Sequence, residues 1–171
     1  MALKPCRECG REVSTEAVAC PQCGAPRPTE LDWTGTGFEW KTRANILGIP
    51  LIHVAFGRDK QGKLRVAKGV LAIGQFAIGL VGVGQFGIGM LFGFGQFMCG
   101  LVILAQFAVG GILGVGQFAT GVLAVGQVAT GWYALCQAGW AKYLWSQSRV
   151  DMEAVALFST IKMQLFQLLG L

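Results

Sequence analysis

The chain has 171 residues, 53% of them hydrophobic and only 13% charged, with 26 glycines and a mean hydropathy of +0.54. An ordinary soluble domain carries about a quarter charged residues, so this composition excludes one as the whole chain. The net charge of +5 is unevenly placed: residues 1–68 hold 11 of the 14 Lys/Arg and 7 of the 9 Asp/Glu, and no charge falls between Gly69 and Ala141.

The opening "MALKPCRECGREV" lacks the apolar core of a secretory signal, so the N-terminus is expected in the cytoplasm, where thiols stay free. "CRECG" and "CPQCG" then set Cys6, Cys9, Cys20 and Cys23 in two CxxC pairs. A CxxC followed by glycine forms a tight knuckle, and two knuckles supply the tetrahedral sulfur set suited to Zn²⁺. With Gly10 and Gly24 in place, residues 4–28 resemble the short zinc-ribbon modules at the N-termini of bacterial membrane and regulatory proteins. All four positions would be thiolate, which predicts a structural zinc with no open coordination site. A redox or disulfide role is the competing reading, but neither CxxC sits in a βαβ context. Ribbons of this size bind nucleic acid, bind proteins or cap a chain. Here Arg7, Arg11 and Arg27 are balanced by Glu8, Glu12 and Glu16, which argues against a nucleic-acid face. The ribbon is placed at 1–28, and the Pro/Thr/Gly-rich stretch that follows makes 29–47 a linker and lead-in.

From Gly69 to Trp140 the chain divides at glycine into 14 units: GVLAI, GQFAI, GLVGV, GQFGI, GMLFGF, GQFMC, GLVIL, AQFAV, GGILGV, GQFAT, GVLAV, GQVAT, GWYAL, CQAGW. Five residues advance a helix by about 500°, so neither the glycines nor the glutamines would share a helical face. A β-solenoid suits the period, with glycine at each corner and a short strand between corners. The third residue of each unit is then expected inside: Leu71, Phe76, Val81, Phe86, Leu91, Phe97, Val102, Phe107, Ile112, Phe118, Leu123, Val128 and Tyr133. Cys99 and Cys136 are expected as buried thiols. The pattern of small, polar, then large apolar residue resembles the pentapeptide-repeat family, which implies a four-sided right-handed β-helix. It departs from that family in its outward positions, which are apolar here (Ile73, Ile78, Val83, Ile88, Phe94, Leu104, Val109, Val125).

Two units hold six residues, 89–94 and 110–115, and they begin 21 residues apart. They would stack if one coil held four units, and residues 48–68 would form a first coil of equal length. Four units per coil gives about 17 Å of apolar height and two units about 34 Å, against a bilayer core of about 30 Å. The solenoid is placed at 48–140.

An apolar outer wall belongs against lipid or against other protein. Arg58, Lys60, Lys63, Arg65 and Lys68 precede the uncharged run as the positive-inside pattern requires, and Trp132, Trp140 and Trp145 cluster about its other end like an interfacial aromatic belt. The glutamines Gln75, Gln85, Gln96, Gln106, Gln117, Gln127 and Gln137 recur in alternate units. They are expected to stack outward as a ladder that either satisfies itself or lines an interface between copies. His53 is expected as a strand residue with a backbone or solvent partner. The tail, 141–171, reads as an amphipathic helix opened by Ser148 and Asp151 in capping-box spacing.

The expected protein is therefore all-β apart from its tail, and not an enzyme. It is an apolar solenoid in a bacterial-type inner membrane, homo-oligomeric, with a cytoplasmic zinc ribbon that docks a protein partner. Two alternatives remain: a soluble solenoid that assembles through its apolar wall, and a membrane-tethered ribbon that binds nucleic acid or protein.

Overall fold

The computed structural model describes residues 2–30 and 35–170, so residues 31–34 of the expected linker lie outside the described residues. The described chain is mostly strand, with one C-terminal helix. It divides into two compact units, one of Met1–Thr36 with Arg58–Lys63, the other of Gly37–Gly57 with Leu64–Leu171.

In the first unit β1 (Leu3–Pro5) and β2 (Glu12–Ser14) pair antiparallel, with Leu3 opposite Ser14 and Pro5 opposite Glu12. Cys6, Val13, Cys20 and Ala25 form its small core. The Arg58–Lys63 segment is a self-contained turn in which the Asp59 carboxylate accepts from the Gln61 and Lys63 N–H groups, both at 2.9 Å.

β3 (Gly35–Lys41), which belongs to the second unit from Gly37 on, is followed there by a short hairpin of β4 (Asn45–Ile46) and β5 (Ile49–Pro50). Leu47 and Gly48 have φ of 50° and 79°, the successive left-handed residues of a two-residue hairpin turn. Gly48 thus closes a hairpin, where the 21-residue length of 48–68 led one to expect the start of a first coil. β6 (Ile52–Asp59) then pairs in parallel with β7 (Val66–Trp145), Ile52 opposite Leu71 and Ala55 opposite Gly74, in a sheet ordered β3–β6–β7.

β7 is 80 residues long, and it is not straight. Residues ten apart in a straight strand would be separated by about 33 Å. Yet the rings of Phe76 and Phe86 stack at 5.6 Å, Phe86 and Phe97 at 6.3 Å, Phe97 and Phe107 at 6.2 Å, and Phe107 and Phe118 at 5.5 Å. The chain returns over itself every ten residues, or every eleven where a six-residue unit intervenes. A turn therefore takes two units, not four, and the two six-residue units are two turns apart.

Glycine serves this arrangement by its missing Cβ. A Cβ at Gly84 would collide with the Gly74 carbonyl oxygen, one at Gly95 with that of Gly84, and one at Gly126 with that of Gly116. Within β7 only Gly100 and Gly121 have positive φ, and at 159° and 158° both are nearly extended. The strand glycines are not corners that need a left-handed backbone. They are the points where one turn rests on the next.

The short turn also decides what lies inside. The expected inward residues are not in the core: Phe86, Leu91, Phe97, Phe107, Ile112 and Val128 are exposed and the remainder half-buried. In half of the units the residue one place later is a completely buried alanine: Ala72, Ala77, Ala108, Ala119, Ala124, Ala129 and Ala134. Two walls this close leave room for little more than a methyl group. Met98 and Ile103, also fully buried, are the large exceptions. They occupy space left by glycine at equivalent positions, since a Cβ at Gly93 would stand 2.7 Å from Ile103 Cδ1 and 3.2 Å from Met98 Cε. Cys136 is buried as expected, whereas Cys99 is only half-buried.

The helix α1 (Met152–Leu169) packs on β7 through buried Ala154 and Phe158. Its N-cap is Asp151, one residue before the helix, and Ser148 plays no capping part. The Asp151 carboxylate instead accepts from the Leu144 N–H at 2.8 Å and holds the end of β7. Gly170, at φ 68°, ends the helix in the left-handed conformation. No described helix is long and apolar enough to cross a membrane.

Candidate metal centre

Each knuckle is built from backbone first. The Gly10 N–H donates to the Cys6 carbonyl at 2.9 Å, and the Gly24 N–H to the Cys20 carbonyl at 2.8 Å. Both glycines are left-handed, at φ 71° and 75°, which lets the chain reverse directly after the second cysteine. The Cys6 N–H donates to the Arg11 carbonyl and the Cys20 N–H to the Ala25 carbonyl, at 2.7 and 2.8 Å, closing the two loops in the same way.

The four sulfurs converge within 4.8 Å of one another, with Cys6 and Cys23 Sγ 3.7 Å apart and Cys9 and Cys20 Sγ 3.7 Å apart. Zinc bonds to thiolate at about 2.3 Å, and a tetrahedron of that radius separates its sulfurs by about 3.8 Å. The donor set fits the ion, and all six cysteines of the chain are free of disulfides. Cys6 and Cys20 are buried, while Cys9 and Cys23 are exposed.

Backbone N–H groups bias the sulfurs unequally. Those of Cys23 and Gln22 bring the Cys20 thiol down to about 6, and those of Cys9 and Glu8 lower Cys6. The Ala25 N–H favours the Cys23 thiolate, but burial and the neighbouring Cys9, Cys20 and Cys6 sulfurs outweigh it and push Cys23 up to about 12. Four thiolates in so small a volume require a cation among them.

Residues 6–27 match the zinc-ribbon domain family. The zinc ribbon covers only this N-terminal part, and no curated protein and no solved structure matches the chain. Nothing in these comparisons points to a pentapeptide repeat in β7.

Beyond the zinc ribbon, Gln85, Gln96, Gln106, Gln117, Gln127 and Gln137 are exposed and Gln75 is half-buried. Gln147 extends the row by one more turn. Sequence reading passed over it because that reading ends the repeat at Trp140 and assigns residues 141–171 to the helical tail. Among the described residues, no side-chain hydrogen bond joins these amides to one another or to the rest of the chain.

The basic flank divides. Arg58, Lys60, Lys63 and Lys68 are exposed, but Arg65 is not a free surface cation: its side chain is only 13% exposed and bonds to the Glu39 carboxylate. Glu39 also meets Lys41 Nζ at 2.8 Å and His53 Nε2 at 3.4 Å. Lys41, by hydrogen bond and charge, together with Arg65 holds the Glu39 carboxyl below its ordinary value against the opposing effect of burial. His53 is buried on β6 and accepts the Lys68 N–H on Nδ1 at 2.7 Å, the backbone partner expected for it. Of the aromatic flank, Trp132 and Trp140 are exposed and Trp145 half-buried, and Lys142 Nζ lies 4.5 Å from the centre of the Trp132 ring.

Proposed function

We propose that the protein is a non-enzymatic membrane scaffold: a narrow β-solenoid with its outer wall against lipid and sister copies, carrying a structural zinc ribbon on the cytoplasmic side of a bacterial-type inner membrane. One observation carries this reading. The uncharged run turns most of its large side chains outward and its alanines inward, so Ile78, Ile88, Met90, Phe94, Leu101 and Trp132 form an outer wall with nothing over them. An exposed apolar surface of this extent marks a membrane or an interaction face.

The ten-residue turn supports the same reading through height. Residues 69–140 make about seven turns, and at about 4.8 Å per turn they rise about 34 Å, enough for a hydrocarbon core of about 30 Å. In a solenoid each turn bonds its backbone to the next, which is the condition a spanning structure must meet in lipid. Arg58, Lys60, Lys63 and Lys68, which precede the uncharged run in the sequence, and Trp132 and Trp140, which close it, have the character of interfacial anchors. The zinc ribbon, its coordination closed, holds a shape rather than activating a substrate, and it would serve as the docking element for a cytoplasmic protein.

Carbonate extraction of membranes containing the full chain tests the reading. The protein is expected to remain in the pellet and to be released by detergent. Release by carbonate alone would overturn the membrane placement.

A further inference from the structure

The wall that carries the glutamines has a profile that selects its own partner. At each level of the stack four residues cross it in order, as Val83, Gly84, Gln85 and Phe86 do. The glycine column is the floor of a groove. A cleft of about 670 Å³ runs along Val115, Gly116, Gln117 and their counterparts one, two and three turns on, ending at Trp145, Ser146 and Gln147. A second, of about 370 Å³, follows the same three columns from Ile73, Gly74 and Gln75 to Phe94 and Gly95. On the far side of the glutamine row stands a ridge of stacked phenylalanine rings, with Phe86, Phe97 and Phe107 40% to 49% exposed. Groove, amide row and ridge therefore lie side by side and run in parallel along the stack.

From this profile we infer that the glutamine wall is the seam of a parallel two-fold homodimer, an inference that rests on the solenoid and oligomer reading above. A two-fold axis along the stack, passing through the amide row, sets glutamine against glutamine and turns each ridge over the partner's groove. Phe86 then faces the floor at Gly84, Phe97 that at Gly95, and Phe118 that at Gly116. An antiparallel pair would set ridge on ridge and groove on groove, leaving the grooves empty. The chemistry agrees with the shape. A primary amide donates and accepts, so a row of amides is complementary to its own copy. Among the described residues the row makes no side-chain hydrogen bond, which leaves its donors and acceptors to that copy. In an apolar setting such groups seek a partner helix or strand. The opposite wall carries Leu80, Met90, Leu101 and Val122 in the equivalent row, with no amide among them to pair with a copy.

The test is disulfide trapping of the full chain in mild detergent, on a Cys99→Ser, Cys136→Ala background that retains the wild-type circular dichroism. Gln75→Cys and Gln127→Cys are each expected to cross-link to the same position of a second copy, converting most of the chain to a covalent dimer. Val122→Cys, on the opposite wall, should stay monomeric on a denaturing gel. A cysteine-independent check is Gln96→Glu with Gln106→Glu, which sets carboxylates against their own symmetry mates and should shift the solubilised particle from dimer to monomer mass, whereas Val122→Glu should not. Cross-linking of Gln75→Cys only to a co-expressed Gln137→Cys, trapping through Val122→Cys alone, or a wild-type monomer would overturn the seam. Carbonate extraction separates this from the membrane placement: a carbonate-resistant monomer removes the seam alone, and a carbonate-released dimer with same-position cross-links removes the placement alone.

Discussion

Met98 Cε lies 3.0 Å from the point where a Cβ on Gly82 would stand. The two residues divide one volume in a core otherwise lined by alanine. Met98→Ala is expected to destabilise the protein by about 2–5 kcal/mol, the range for truncating a buried methionine. Gly82→Ala alone should be milder, because the atom it meets is the flexible end of a side chain. A double-mutant cycle by urea denaturation should show favourable coupling of about 0.5–3 kcal/mol between the substitutions. Strict additivity would mean that the two do not share the space.

The strand glycines are not equivalent. A Cβ at Gly95 would run into the Gly84 carbonyl oxygen and its carbon, whereas at Gly111 the nearest atom is Leu101 Cδ2 at 3.3 Å. Overpacking against backbone costs about 1–3 kcal/mol or more. Gly95→Ala should therefore lower the melting temperature by several degrees and Gly111→Ala by little, and thermal melts of the two variants check the contrast.

Phe158 and Ala154 are the buried residues of α1, which packs on β7. Phe158→Ala should cost about 3–5 kcal/mol of local stability. Removing residues 152–171 should go further, because an uncovered final strand is a template for another chain. Light scattering of the truncated protein is expected to show end-to-end growth. A truncation that stays dispersed would mean that α1 does not guard that edge.

The zinc ribbon and β7 are separate units, and so should be their response to metal removal. Cys20→Ser is expected to abolish stoichiometric zinc by metal analysis and to unfold residues 2–30, with the strand signal of β7 unchanged. Acid should release the ion as protons compete for the thiolates.

Glu39 gives a pH signature. Its carboxyl is held below its ordinary value of 4.5, so the charged form is favoured in the folded protein. A group depressed in this way contributes stability that is fully present above the ordinary value and is lost as pH falls through the folded one. Stability of the wild type should therefore fall from about pH 4.5 downward more steeply than that of Glu39→Gln. Parallel urea midpoints at pH 5 and below, roughly the window in which the carboxyl protonates, check this. Equal slopes would remove Glu39 from the account.

The zinc ribbon was legible because its geometry is local: two knuckles, each closed by one glycine, announce themselves within five residues. The strand content of the repeat and the outward glutamine row were legible for a similar reason, since a period of five excludes a helix. The interior was misread. Placing Phe76 and its counterparts inside assumes a coil wide enough for large side chains, and that width depends on how many units close a turn, which no local pattern states. The coincidence of the six-residue units at 21 residues fits one wide turn or two narrow ones equally. The Glu39, Lys41, Arg65 and His53 cluster was invisible for another reason. Glu39 is 26 residues from Arg65 and 14 from His53, and only the pairing of strands around the Arg58–Lys63 turn brings them to one place.

A turn of two unlike units makes the chain a graduated rule with ten-residue marks. Adding or deleting one five-residue unit would exchange the two walls from that point on and carry the remaining glutamines to the opposite side. A change of ten residues would leave every column continuous and alter the height by about 4.8 Å. Length variation that preserves the glutamine row is thus confined to whole turns.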